Sequence, residues 1–184
     1  MGITTIKDLT HLNEMEKISE MEVWQRGPIE GVPALLQPVA HALLQTVEDV
    51  ERELSDFPSA LLSEKPGGVA SIGFHLKHLK GVVDRLCTYA RGEMLSDEQM
   101  DYLKTETISS TKDSVQMLVD DFRKQVSTAL EQLKGTDVNM LTDIRGVGRK
   151  QIPSTVIGLL FHAAEHVQRH LGQVIVTARI LKAH

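Results

Sequence analysis

Five of the eight histidines in this 184-residue chain fall in two short segments. His75 and His78 lie in SIGFHLKHLKG, and His162, His166 and His170 lie in FHAAEHVQRHLGQ. Residues four apart on an α-helix share a face, so a histidine pair at that spacing can grip one metal ion with two imidazoles. A third imidazole must then come from another helix. Three nitrogen ligands leave a coordination position open, which is the pattern of catalytic rather than structural zinc. Imidazole nitrogen suits zinc or nickel, whereas magnesium and calcium prefer oxygen.

Spacing does not choose among the ligands. Either His162/His166 or His166/His170 could form the pair, but not all three, because His162 and His170 are ~12 Å apart along a helix axis. His75 and His78 are likewise alternatives. The competing reading is a set of solvated or core-edge histidines with no metal. Against it, the histidines of the second segment share a stripe with Leu159, Ala163, Val174 and Thr177. That places them near a core face, where an unpaired imidazole is costly.

Few other groups offer chemistry. On a helical wheel Arg85 projects near the His78 direction, and Gln173 near the His166/His170 direction. Arg85 reads as an anion-binding group or, as such arginines more often are, half of a structural ion pair. Gln173 reads as an orienting group. Glu165 lies ~100° around the helix from His166 and reads as solvated. No carboxylate general base is visible, so hydrolysis would depend on water activated by the metal. Cys87 is nine residues past His78 and points ~180° away. It reads as a small buried hydrophobe rather than a nucleophile.

The elements that must position these groups are helical. Leu36, Ala40, Leu43, Leu44, Val47, Val50 and Leu54 recur at helical spacing, as do Ile72, Leu76, Leu79, Val82, Val83, Leu86 and Ala90. Val115, Leu118, Val119, Phe122, Val126, Ala129, Leu130 and Leu133 form a third stripe, and residues 156–178 a fourth. The expected long helices span about 33–54, 70–92, 109–134 and 153–182. Ser71 is the expected cap of the second, Ser109 or Ser110 of the third, and Pro153 or Ser154 the start of the fourth. A short helix is expected over 96–103, and Pro38 implies a kink or a helix that starts near Gln37. Residues 136–152, with Gly146 and Gly148, read as an irregular segment or short hairpin. This pattern predicts an all-α, antiparallel four-helix bundle. It spans 31–184, preceded at 1–30 by a polar tail and a loop that docks through Trp24. An open metal position is expected to face a cavity between the second and fourth long helices.

Composition removes several function classes. The net charge is −5 with no dense basic run, and aromatics are 4%, which disfavours nucleic-acid binding. The single cysteine excludes an intramolecular disulfide and a multi-cysteine zinc site. No uninterrupted apolar stretch of ~18 residues is present, so no membrane span is expected and the chain reads as cytoplasmic.

The two histidine segments carry a resemblance. Ser71-Ile72-Gly73-Phe74-His75-Leu76-Lys77-His78 and His166-Val167-Gln168-Arg169-His170-Leu171-Gly172-Gln173 resemble the motifs of the DinB-like (DinB/YfiT-type) family of four-helix-bundle metalloenzymes. The resemblance runs from about Trp24 to the carboxyl terminus. It implies a divalent metal held by His78, His166 and His170, with His75 and His162 as additional histidines beyond that triad. His75, Arg85, His162 and Gln173 are then candidates to support the ligands or bind substrate. Relatives in the wider family include metal-dependent thiol S-transferases that use low-molecular-weight thiols such as bacillithiol, and a mycothiol-dependent isomerase. The resemblance therefore implies thiol chemistry such as S-transfer, with homodimers common; the same ion could activate water, giving a hydrolase. The alternative is a non-catalytic, stress-related bundle that binds a metal or ligand.

Overall fold

A computed structural model describes residues 21–183. The expected tail over 1–20 lies outside the described residues. Five α-helices are present among them: α1 (Gln37–Leu54), α2 (Ile72–Ala90), α3 (Asp97–Thr105), α4 (Val115–Lys134) and α5 (Val156–Lys182). A hairpin of β1 (Ile144–Val147) and β2 (Ile152–Thr155) precedes α5, with Ile144 opposite Thr155 and Val147 opposite Ile152.

Capping explains most of the boundaries. Ser71, Ser96, Ser114 and Thr155 each accept a hydrogen bond from the backbone N–H three residues on, satisfying a donor that the helix cannot. Ser96 also forms a reciprocal box with Gln99. Two expected starts are displaced. Ser114, not Ser109 or Ser110, opens α4, because Ser110 is already committed to a turn with Lys112 and Asp113. Pro153 and Ser154 belong to β2, so α5 begins after Thr155. Pro38 sits in the first turn of α1, where its missing N–H costs nothing, and α1 starts at Gln37 without an internal kink. The loop before α1 docks through Val23, which is 3% exposed and donates its N–H to Gln45, while Trp24 stands 60% exposed. A 3₁₀ turn over Val23–Arg26 makes neighbouring side chains diverge, so only one of the two can face the bundle.

The four long helices share one core that includes Leu36, Leu43, Leu54, Leu76, Leu79, Phe122, Leu133 and Leu160, none more than 2% exposed. α5 packs on both α1 and α2, and α4 packs on both from the other side. Side-chain pairs give the directions. His75 meets His170 and His78 meets His166, so α2 and α5 run antiparallel. Arg123 reaches Glu51 and Lys134 lies over Gly31, so α1 and α4 run antiparallel too. α2 and α4 run parallel, since Lys77 pairs with Asp113 just ahead of α4 and Gln132 donates to the Cys87 carbonyl near the far ends.

That parallel pair has a consequence for the site. α2 is ~28 Å long at 1.5 Å per residue, and the chain must travel back along it before α4 can start. The returning segment is α3 and the loop 106–114. It is held on α2 by Tyr102, whose hydroxyl donates to the Lys77 carbonyl, and by Lys77, whose ammonium donates to the Ile108 carbonyl at 2.7 Å. The return therefore lays Glu106 beside the histidines of α2.

Candidate metal centre

The histidines gather where the first turns of α2 face the middle of α5. His78 Nε2 lies 3.0 Å from His166 Nε2, and His75 Nδ1 lies 2.9 Å from His170 Nδ1. The His78 and His170 rings are 4.5 Å apart between centroids, and those of His166 and His170 4.7 Å. One potential ligand atom from each of His78, His166 and His170 falls within 4.8 Å of the other two. Nitrogen ligands ~2.05 Å from a tetrahedral ion stand ~3.3 Å from one another. The three imidazoles thus converge from two helices to nearly the spacing an ion requires.

Glu106 fixes the tautomer of one of them. Its carboxylate is 3% exposed; Oε2 accepts from His78 Nδ1 at 2.7 Å, and Oε1 accepts from Arg85 at 2.5 Å. Burial works against the charge, but the hydrogen bonds from His78 and Arg85 outweigh it and hold the carboxyl below its ordinary pKa. An ionised carboxylate can only accept, so the His78 proton facing it sits on Nδ1, and the neutral form of that tautomer has its lone pair at Nε2. A carboxylate behind a histidine in this way raises ligand basicity and locks ring orientation. Room for the arrangement comes from Gly81, where a Cβ would lie 2.1 Å from Glu106 Oε1 and 2.6 Å from an Arg85 nitrogen.

The α5 histidines are supported differently. His170 leans on His75, which is 1% exposed. Burial, followed by the neighbouring His78, depresses the pKa of both rings to about 4, so both are neutral near pH 7. With Nδ1 occupied by His75, His170 keeps Nε2 available. His166 is also shifted down, first by burial and then by its neighbours His78, His162 and Arg169. Its Nδ1 is buried without a hydrogen-bond partner. A buried polar atom left unpaired costs about 1–3 kcal/mol. Two ring nitrogens 3.0 Å apart, one a bare acceptor, and an orphaned atom on the other ring make a poor hydrogen-bonded core. Neutral imidazoles with convergent lone pairs fit a divalent cation.

The remaining candidates separate. Arg85 is engaged with Glu106 as a structural ion pair and reaches the site through it. His162 lies on the exposed side of α5, with its ring 5.3 Å from that of His166, and pairs with Glu165 at 2.6 Å. His162, Glu165 and His166 also come within 4.8 Å of one another, but Glu165 is already bridged to Arg169. Gln173 is exposed on α5 and joins none of the hydrogen bonds of the cluster. Its helical-wheel angle is close to that of His166, but it lies two turns further along α5, outside the converging rings. Cys87 is buried, and burial pushes its thiol up to about 12, which removes it as a nucleophile.

A cavity of about 620 Å³ adjoins the site, though not between α2 and α5 as expected. It lies on the other side of Phe74, between the loop 59–71 and the loop 106–113. The α2–α5 interface is filled by the histidine rings themselves. Glu106, the residue that the sequence did not flag, lines this cavity as well. Its 28-residue separation from His78 falls outside any local motif.

Among the described residues, no helix is long and apolar enough to cross a membrane. A comparison with curated proteins finds no match. Among solved structures, a conserved protein of Enterococcus faecalis superposes with a TM-score of 0.64 at 18% identity, covering 81% of this chain and 98% of that one. At that identity the likeness concerns the fold, including the bundle that brings α2 and α5 together. The model of the DinB superfamily matches residues 12–174, nearly the whole chain. The chain belongs to the DinB superfamily.

Proposed function

We propose that this protein is a divalent-metal-dependent enzyme whose ion is held by His78, His166 and His170. The observation that carries the reading is the convergence of three imidazoles from two helices, with ligand atoms within 4.8 Å of one another. Zinc or nickel is the fitting ion for an all-nitrogen set. Bound there, it would supply a Lewis acid that lowers the pKa of a thiol or of water.

The chain's own residues divide the remaining work. Glu106 holds the His78 proton on Nδ1, and Arg85 balances the Glu106 charge. Because both Glu106 oxygens are engaged, the carboxylate supports the site rather than closing it, which leaves a position for substrate. His75 orients His170. The buried Cys87 is no source of sulfur, so a thiol must come from outside, and a low-molecular-weight cytoplasmic thiol fits a transferase; with water instead, the same centre would be a hydrolase. Self-association belongs to this reading: Phe161, Val176 and Ile180 stand exposed along α5, and light scattering that gives ~20 kDa across the micromolar range would count against it.

The test is metal analysis of untagged protein, followed by a panel of thiols with electrophiles and of hydrolysable esters, using metal-loaded and metal-stripped protein. Near-stoichiometric zinc or nickel and a rate that depends on it are expected. Equal rates in both forms would remove the enzymatic reading. Retained metal with no activity across the panel would favour a binding protein.

A further inference from the structure

The 620 Å³ cavity beyond Phe74 has the size of a small-molecule site. Its walls are tied down. On one side the Gly73 N–H donates to the Leu62 carbonyl at 2.8 Å, so close that a Cβ at Gly73 would meet that oxygen at 2.9 Å. On the other side Lys77 bonds the Ile108 carbonyl and pairs with Asp113, both at 2.7 Å. The space is therefore pre-formed by contacts with α2 and does not need a ligand to create it.

The lining defines a chemistry. The buried charges of the lining already have partners: Lys77 has Asp113, and Glu106 has Arg85 and His78, while the lining's other cation, Lys65, stands exposed. A charged group carried past Lys65 into the interior would lose its hydration and find no unmatched counter-charge there. The hydroxyls of Ser59 and Ser71 accept the backbone N–H groups of Val115 and Phe74, which leaves each hydroxyl proton to donate. Leu62, Phe74 and Ile108 supply apolar surface, and Ile108 is 59% exposed at the cavity although it is a large aliphatic residue.

Phe74 links this space to the histidines. Its ring stacks on His78 at 5.3 Å between centroids and 12° between planes, and meets His75 edge-on at 5.4 Å. It is the wall between cavity and metal centre, and an aromatic side chain there can swing about two torsions. We propose that the cavity binds an uncharged organic molecule with an apolar body and hydrogen-bond acceptors, and that Phe74 is the gate this molecule displaces to reach the histidines. The inference deepens the proposed function, since it names the class of substrate delivered to that same centre.

The test uses chelator-treated full-length protein, so that it does not depend on the metal. The probe is 6-propionyl-2-dimethylaminonaphthalene, a neutral aromatic ketone whose emission shifts to the blue on leaving water. One saturable site per chain is expected. Ala60→Trp and Ser63→Trp each fill the cavity from an exposed lining position, sparing the core, and each should weaken binding by about tenfold or more. The anionic 8-anilinonaphthalene-1-sulfonate should bind about tenfold more weakly than the ketone. As the ketone saturates, the His78 ring-proton resonance should move, because the Phe74 ring current leaves it and that of the ligand arrives. Phe74→Leu should keep ketone binding, with a movement that differs from the native one by the missing Phe74 contribution. Absent binding, binding that survives both tryptophan substitutions, a preference for the sulfonate, or an unmoved His78 resonance would overturn the inference. Binding as expected by a protein that never retains metal would leave the inference standing and defeat the metal reading instead.

Discussion

The two sides of the histidine cluster are built on different principles. On α2, His78 rests on a carboxylate that is 3% exposed and itself locked by Arg85, a relay that fixes one tautomer and one ring orientation. On α5, no buried carboxylate stands behind either ring. His170 has another neutral imidazole as its partner, and His166 Nδ1 has none. The α2 side is therefore organised by the protein's own hydrogen bonds, while the α5 side leaves a buried ring nitrogen without a partner. The difference follows from topology. α2 lies against the returning segment that carries Glu106, whereas this stretch of α5 has its outer side in solvent.

The sharpest way to break the comparison is to delete one ring from each side. His78→Ala and His166→Ala should each abolish stoichiometric metal binding, measured by elemental analysis, while circular dichroism reports nearly unchanged helicity. The bundle core does not depend on these side chains, so helicity should survive. His162→Ala, outside the converging triad, should alter affinity by less than about threefold, under 0.7 kcal/mol. If His162→Ala loses the ion and His78→Ala keeps it, the ion sits at the His162–Glu165–His166 group on the surface and the contrast between the two sides collapses.

Glu106→Gln is the next largest effect. The amide cannot accept at both oxygens, so it leaves either His78 or Arg85 without its partner. Loss of a carboxylate behind a metal-binding histidine typically costs about 10–100-fold in affinity. Removing one member of a buried charge pair costs about 3–5 kcal/mol because the other charge is stranded. Competition with a chromophoric chelator and urea unfolding would measure the two losses. Unchanged metal affinity would reduce Glu106 to a purely structural residue.

Gly81→Ala sharpens the same point with a single methyl group. That Cβ would lie 2.1 Å from Glu106 Oε1, so the carboxylate must move away from His78 and Arg85. The expected result is a loss of metal affinity of about tenfold and of stability of about 1–3 kcal/mol. The double variant with Glu106→Gln should show almost no further loss of affinity, since both changes break one hydrogen bond. Full additivity would mean that Gly81 acts through something other than Glu106.

These predictions concern the parts of the site that one sequence reveals least. The bundle was legible because its apolar stripes are long and each is punctuated by caps or glycines, so tertiary packing and local preference agree. The histidine segments were legible because ligand spacing on a helix is local. Glu106 was not, because nothing in KTETIS distinguishes it from a solvated glutamate. Its role arises from a chain return that follows only once α2 and α4 are known to be parallel. Gly81 was hidden for the same reason, as the side chains over it come from 4, 21 and 25 residues away. Gln173 shows that a matching angle on the helix does not by itself bring a side chain to the rings, since it stands exposed. Trp24 stands outside the core although it is aromatic, because the 3₁₀ turn directs Val23 inward.

The last expected effect, read on stability rather than on metal affinity, is a pH dependence of the metal-free protein. The folded-state pKa values of His75 and His170 are about 4, below the ordinary 6.5, chiefly because burial disfavours the charged rings. Between these values the unfolded chain binds more protons than the folded one. Stability is therefore full above about pH 6.5 and declines as the pH falls toward about 4, with a slope of at most ~1.4 kcal/mol per pH unit for each histidine. His75, the more deeply buried, should account for the larger share. Glu106, held below its ordinary range, adds a loss only further into acid. Urea unfolding at pH 7.5, 6 and 5 checks this, with His75→Phe as the control that removes one titrating ring and should flatten the profile. A profile equally steep in His75→Phe would place the acid sensitivity elsewhere. Adding zinc should steepen the decline in the native protein, since protons then also compete with the ion for His78, His166 and His170. That extra steepness should vanish in His166→Ala, whose missing ring comes from the side of the cluster that leaves a ring nitrogen without a partner.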